Sequence, residues 1–273
     1  HEWMQLLLVV FLMLINWGIE SKKWQLLIKK VQPISFKDAF RATLAGQAFA
    51  ISSLNNIGDF AGKILHLSEG NRLQAIALNV VASIAQITIT LLMGIVGLFF
   101  LHLQLPPLLQ PSSQYVFLIA IITATILLLV CYFNIALVLN AIKKVPFLKR
   151  IANFATPATT VSIKELTIIL SLSAVRFIIF IAQYLLLFNI FKVQANSWQL
   201  VGMICILFLS LAIIPSFAIA EVGIRGELSI QLIGLLSTNI AGILLTSTGI
   251  WFINRILPAI IGSIAILKLK TFK

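Results

Sequence analysis

Acidic residues are scarce in this 273-residue chain: eight Asp and Glu stand against twenty Lys and Arg, and charged residues make up only 10% of the whole. A soluble globular chain usually carries about 25% charged residues, so an ordinary water-soluble domain is excluded. Cysteine is nearly absent. Cys131 and Cys205 both fall in apolar stretches far from any C-x-x-C spacing, which leaves neither a disulfide framework nor a thiolate metal site. His1, His66 and His102 are isolated, without H-E-x-x-H or comparable spacing, so no metal is expected. G-x-S-x-G, a P-loop and a dinucleotide glycine motif are also missing, and no cofactor is expected.

What the chain has is apolar length. Hydrophobic residues make up 60% of it and concentrate in runs at 74–101, 115–140, 163–190 and 198–220. Each is near or above the roughly 20 residues a helix needs to cross a bilayer. Lipid tolerates only spans that satisfy their own backbone, and the alternating pattern of a membrane barrel is lacking, so the runs read as helices. The fold class is therefore all-α, a polytopic helical membrane protein of one domain over 1–273. The net charge of +12 is assigned to basic loops held on the cytoplasmic side of a cell membrane, and nucleic acid is not an expected partner.

A first helix over about 3–17 is followed by a basic segment, 18–41, in which Trp24, Leu27 and Ile28 share one face and lysines the other. That pattern suits a helix lying in the cytoplasmic interface. The stretch 42–64 is interrupted by Gly46, Gln47, Ser52, Ser53, Asn55, Asn56, Gly58 and Asp59. Were it a full crossing, the clusters 22–41 and 143–150 would lie on opposite sides; as a re-entrant hairpin, it puts both inside. Further spans are expected at 163–190, 198–220, 228–246 and 249–267, giving about seven in all and a cytoplasmic C-terminus. Ser247-Thr248-Gly249 is a very tight connection, which a broken helix would also explain. The opening at His1, without an initiator Met, leads us to expect an upstream piece, whose content is left open.

Two polar, glycine-bearing interruptions, at 42–64 and 213–228, echo one another across the halves. Such pairs point to a transporter-type site and an inverted pseudo-repeat. Charges at membrane depth cost about 2.5–3.5 kcal/mol each on insertion scales, so each needs a partner or a purpose. The candidates are Asp59, Arg176, Glu221, Arg225, Glu227 and Arg255, with Asn55, Asn56, Gly58, Gly223 and Asn254 as polar or open neighbours. Arg176 lies midway along 163–190 and should pair with a carboxylate, Asp59 or Glu221. Glu221, Arg225 and Glu227 occupy a turn bounded by Gly223 and Gly226, where opened amides and a planar guanidinium suit a phosphate. An ion pair that only fixes helix packing, and a loop at the membrane surface, are the plainer readings of these two features. Asn16 and Glu20 are further polar positions that could line the same cavity.

Asn16-Trp17-Gly18-Ile19-Glu20-Ser21-Lys22-Lys23-Trp24, the Asn56-Ile57-Gly58-Asp59 turn, 218–226 and 251–262 together resemble the flippase-like family that forms the membrane half of bacterial lysylphosphatidylglycerol synthases. The family commonly has a Pro and a Gly-Glu in the first interruption, where this chain has Leu54 and Gly58-Asp59, and a basic residue where Asn55 or Asn56 stands. The sequence given ends at Lys273 without the aminoacyltransferase domain of the synthases, so lysyl transfer is not expected. The resemblance implies binding or translocation of a lipid, an anionic phospholipid or a polyprenyl-phosphate lipid, by a non-enzymatic protein. An intramembrane enzyme using Asp59 or Glu221, a non-transporting partner subunit and a small-solute carrier are the alternatives. The partners expected are membrane lipids, with a second copy or another membrane protein as further candidates.

Overall fold

The computed structural model describes residues 2–54, 57–65, 67–102, 111–147 and 149–270. Among these, all regular structure is helical apart from one isolated β-bridge. Five segments are long and apolar enough to cross a membrane: Glu2–Ile28, Glu69–Phe100, Tyr115–Phe133, Ile163–Ile190 and Ile240–Ile264. The all-α polytopic fold is as read from the sequence, but the division of the chain differs at three places.

The first helix, α1 (Glu2–Ile28), does not stop near residue 17. It continues through Lys22 and Lys23, and Lys23, Trp24, Leu27 and Ile28 are buried in protein and not spread on an interface. The cause is Glu20, whose carboxylate lies 3.2 Å from the Lys23 ammonium and neutralises it inside the bundle. After α2 (Phe36–Ala50) and a turn comes the short α3 (Gly58–Ile64), packed antiparallel on α2 as a hairpin. Ser35 caps α2, accepting from the Asp38 amide. Glycine permits the close approach: a Cβ on Gly62 would collide with the backbone of Ala45 and Gly46, and one on Gly58 with the Phe49 carbonyl.

The long α4 (Arg72–His102) precedes α5 (Pro111–Phe133), α6 (Ile135–Lys143) and α7 (Lys149–Phe154). Next, α8 (Ile163–Ile190) starts at a capping box made by Ser162 and Glu165. At 1.5 Å per residue it is about 42 Å long, enough to cross a bilayer and its headgroups. The expected span 198–220 is cut at Ile213: α9 (Ser197–Ile213) and α10 (Ala218–Ile233) form a second hairpin, bent at Ile214-Pro215. Pro215 lacks an amide for the ladder, and the residue before a proline is pushed toward extended backbone, as Ile214 is. Of the expected spans 228–246 and 249–267, residues 228–233 belong instead to α10, and the chain from 240 onward is one continuous rod. In it α11 (Ile240–Trp251) passes through a π-helical turn, Phe252–Ile256, into α12 (Leu257–Lys270).

The two hairpins enter from opposite ends of α8. Gln32 Oε1, at the mouth of α2–α3, accepts from the Ser68 amide (3.2 Å) and Asn71 Nδ2 (3.1 Å). The neighbouring Lys30 pairs with Glu165 at the start of α8 (2.8 Å). The mouth of α9–α10 sits at the other end, where Asn239 Nδ2 donates to the carbonyls of Phe191 (3.0 Å) and Lys192 (3.2 Å). The tips meet: Leu54 and Phe217 form the antiparallel bridge. Long helix, hairpin, long helix thus occurs twice with opposite direction, as α1, α2–α3, α4 and as α8, α9–α10, α11–α12.

Candidate functional site

Buried charge gathers in two clusters, one beside each hairpin. The first is centred on Glu20. Its carboxylate receives Arg176 from α8, Lys23 at 3.2 Å and Lys63 from α3 at 3.1 Å. Lys63 also reaches Asp59 (2.7 Å) and Asn79 Oδ1 (3.0 Å), while Arg176 Nε donates to Asn16 Oδ1 (2.6 Å). Arg176 further lies 5.7 Å from the Trp17 ring centroid, and Lys63 5.8 Å from that of Trp24. Three cations face two carboxylates here, leaving one positive charge in excess.

The expected partner of Arg176, Asp59 or Glu221, is therefore corrected to Glu20. The physical reason is reach: α1 runs antiparallel against α8, as Gln183 Nε2 donating to the Val9 carbonyl also shows. That packing sets Asn16 and Glu20, one turn apart on α1, opposite Arg176. Asp59 is taken by Lys63 from its own helix, and Glu221 lies elsewhere. Lys63, the last charge of the interrupted segment 42–64, is only 1% exposed.

The second cluster is centred on Glu221 in the first turn of α10. Arg225, one turn on, pairs with it, and Arg255 from the π turn approaches its other oxygen at 3.3 Å. Arg225 also donates to the Tyr184 hydroxyl on α8 (2.9 Å) and lies 5.7 Å from the Phe208 ring centroid. Two cations face one carboxylate, so this cluster too keeps one positive charge in excess. A π turn removes the regular helical register, and such turns cluster at functional sites. Here it sets Asn254 and Arg255 into the protein side of an otherwise apolar rod. Asn254 is buried, with Nδ2 donating to the Ile250 carbonyl.

The single cavity read from the sequence is thus resolved into two groups. Asp59 and Arg176 belong to the first, with Asn16 and Glu20; Glu221, Arg225 and Arg255 belong to the second. Glu227 joins neither: it is exposed and accepts from Gln231 (2.9 Å). Gly223 is open to its surroundings, since a Cβ there would meet nothing within 4 Å, whereas Gly58 is required by packing. Asn55 and Asn56 lie outside the described residues. The sequence reading missed Lys23, Lys63, Asn79 and Tyr184. The two lysines had a signal in spacing, since Glu20/Lys23 and Asp59/Lys63 are three and four residues apart and such pairs meet on one helix face, whereas Asn79 and Tyr184 had none.

Among the described residues no group of three or more His, Cys, Asp or Glu could hold a metal ion. Residues 1–263 match the family described as the lysylphosphatidylglycerol synthase TM region. The chain belongs to this family. No curated protein and no solved structure matches it. Membership in the synthase TM-region family makes this a multi-pass, lipid-related membrane protein.

Proposed function

We propose that the chain binds an anionic phospholipid or a polyprenyl-phosphate lipid and carries its head group across the membrane, without chemical change to it. The observation that carries this reading is the meeting of two hairpin tips, at Leu54 and Phe217, between two buried clusters that each hold one excess positive charge. Broken helices that meet near the middle of a bundle are how carriers expose polar backbone to a substrate at membrane depth. A buried charge left unbalanced by the protein is costly, and an anionic head group would balance it. The three carboxylates at depth are all committed to ion pairs, which supports a carrier over an intramembrane enzyme.

The end of α8 that carries Lys29, Lys30 and the 143–150 cluster would face the cytoplasm, with α2–α3 entering from that side and α9–α10 from outside. The end of α12 would then return to the cytoplasmic side of the cell membrane.

The test is movement of fluorescent phosphatidylglycerol in proteoliposomes, read by a quencher that cannot cross the bilayer. Arg176→Gln, in protein that purifies as a single species, should slow the movement about tenfold or more. One hydrogen bond to a charged group, about 1.5–3 kcal/mol, is worth that factor. Normal movement by folded Arg176→Gln protein would remove the basis of the proposal.

A further inference from the structure

The Arg225 and Arg255 cluster is not an extension of the one around Arg176. Arg176 and Tyr184, which each anchor one cluster to α8, are about 12 Å apart along the helix axis at 1.5 Å per residue. The members of each cluster come from different elements: α1, α3, α4 and α8 for the first, and α8, α10 and the π turn for the second. No ion pair given by the described residues joins the two.

Both clusters hold a buried donor that the protein leaves without a partner. In the first it is Nδ2 of Asn16, a residue 1% exposed; in the second it is Nε of Arg225, a residue 6% exposed. Asn254, next to Arg255 and 4% exposed, adds an unpartnered acceptor, Oδ1. In the second cluster a lone carboxylate, Glu221, is shared between two guanidinium groups, one of them held loosely at 3.3 Å. The Arg255 side chain remains 25% exposed, so an incoming group can reach it. The N-terminus of the sixteen-residue α10 lies within a turn of Glu221 without a side-chain cap, adding positive potential.

We infer that the chain has two phosphate-binding stations, one per hairpin, and that the second is formed by Arg225, Arg255 and the Tyr184 hydroxyl around a displaceable Glu221 carboxylate. Guanidinium groups bind phosphate oxygens in a planar fork, and the phenol adds a donor. Asn254 Oδ1 accepts from a hydroxyl beside the phosphate, as a glycerol or sugar head group would offer. This rests on the lipid-carrier reading and adds that a head group has two resting places at different depths. The ligand chemistry is a phosphate group, on a lipid or as free inorganic phosphate.

The experiment is native mass spectrometry of the full chain released from micelles containing phosphatidylglycerol, repeated with excess inorganic phosphate. The wild type should retain two lipids per chain. Arg255→Gln, at a part-exposed side chain, should retain one, Arg176→Gln one, and the double variant none, each with unchanged elution as a single folded species. A signal lost in Arg255→Gln but filled by inorganic phosphate in the wild type would assign the second station to the free ion. A single lipid lost equally in either variant, or two lipids still held by Arg255→Gln, would overturn the inference while leaving lipid carriage standing. Two lipids bound without any movement in proteoliposomes would sink the carrier reading and leave the two stations in place.

Discussion

The two hairpins perform the same topological task by different means. α2–α3 is stitched backbone to backbone: Gly46, Gly58 and Gly62 leave no room for a Cβ, and α12 lies against α2 so closely that one on Gly262 would strike the Leu44 carbonyl. Its charges are also shared outward, through Lys63 to Glu20 on α1 and to Asn79 on α4. α9–α10 has Gly223 open on its second arm, where Arg225 and Glu221 pair with each other and reach outward through side chains alone, to Tyr184 on α8 and Arg255 in the π turn. Small residues let helix backbones approach and pack where lipid supplies no hydrophobic drive. The contrast teaches that the first hairpin is a wedge locked arm to arm through its backbone, whereas in the second α9 sits tightly on α4 at Gly97 and α10 owes its position to side chains that can rearrange.

The largest expected effect follows from breaking the first network at its centre. Glu20→Gln leaves Lys23, Lys63 and Arg176 around a neutral amide. Removing one member of a buried charge network costs about 3–5 kcal/mol. Reversible unfolding in mixed micelles should show a loss of that size, and a loss under 1 kcal/mol would mean the network is well hydrated. Gly62→Ala tests the stitching. Its methyl must push α2 off α3, so about 1–3 kcal/mol should be lost, again by unfolding in micelles. Beside the other hairpin, Tyr184→Phe on α8 removes one hydrogen bond to Arg225 and should cost about 1.5 kcal/mol. Smallest of all, Gly223→Ala should stay within about 0.5 kcal/mol of the wild type. An equal cost for Gly62→Ala and Gly223→Ala would erase the distinction between wedge and adjustable arm.

Much of this was legible in the sequence, for reasons that can be named. Arg176 stood out because apolar residues flank it on both sides in a run as long as a bilayer is thick. The paired interruptions were visible because glycine, proline and charge together break an apolar run. The partner of Arg176 was not legible, since Glu20 is distant in sequence and only the packing of α1 on α8 joins them. The end of α1 was misplaced because Lys22 and Lys23 look like a polar border until Glu20 is seen to neutralise Lys23 within the bundle. Ser247-Thr248-Gly249 reads as a tight connection between two spans or as a break in one helix. The rod runs straight through it, and the true irregularity is the π turn at Phe252–Ile256, where Asn254 and Arg255 mark a polar position without revealing the change of helix type.

The arrangement at the centre of this account, two hairpins from opposite ends of α8 joined at their tips, is tested most directly by cysteine crosslinking. With Cys131 and Cys205 replaced by serine, the Leu54→Cys/Phe217→Cys pair in native membranes should form a crosslink within the chain under mild oxidation, as the bridge between those backbones requires. Crosslinking no greater than that of the Leu54→Cys/Leu235→Cys pair, in protein that folds and inserts normally, would contradict it.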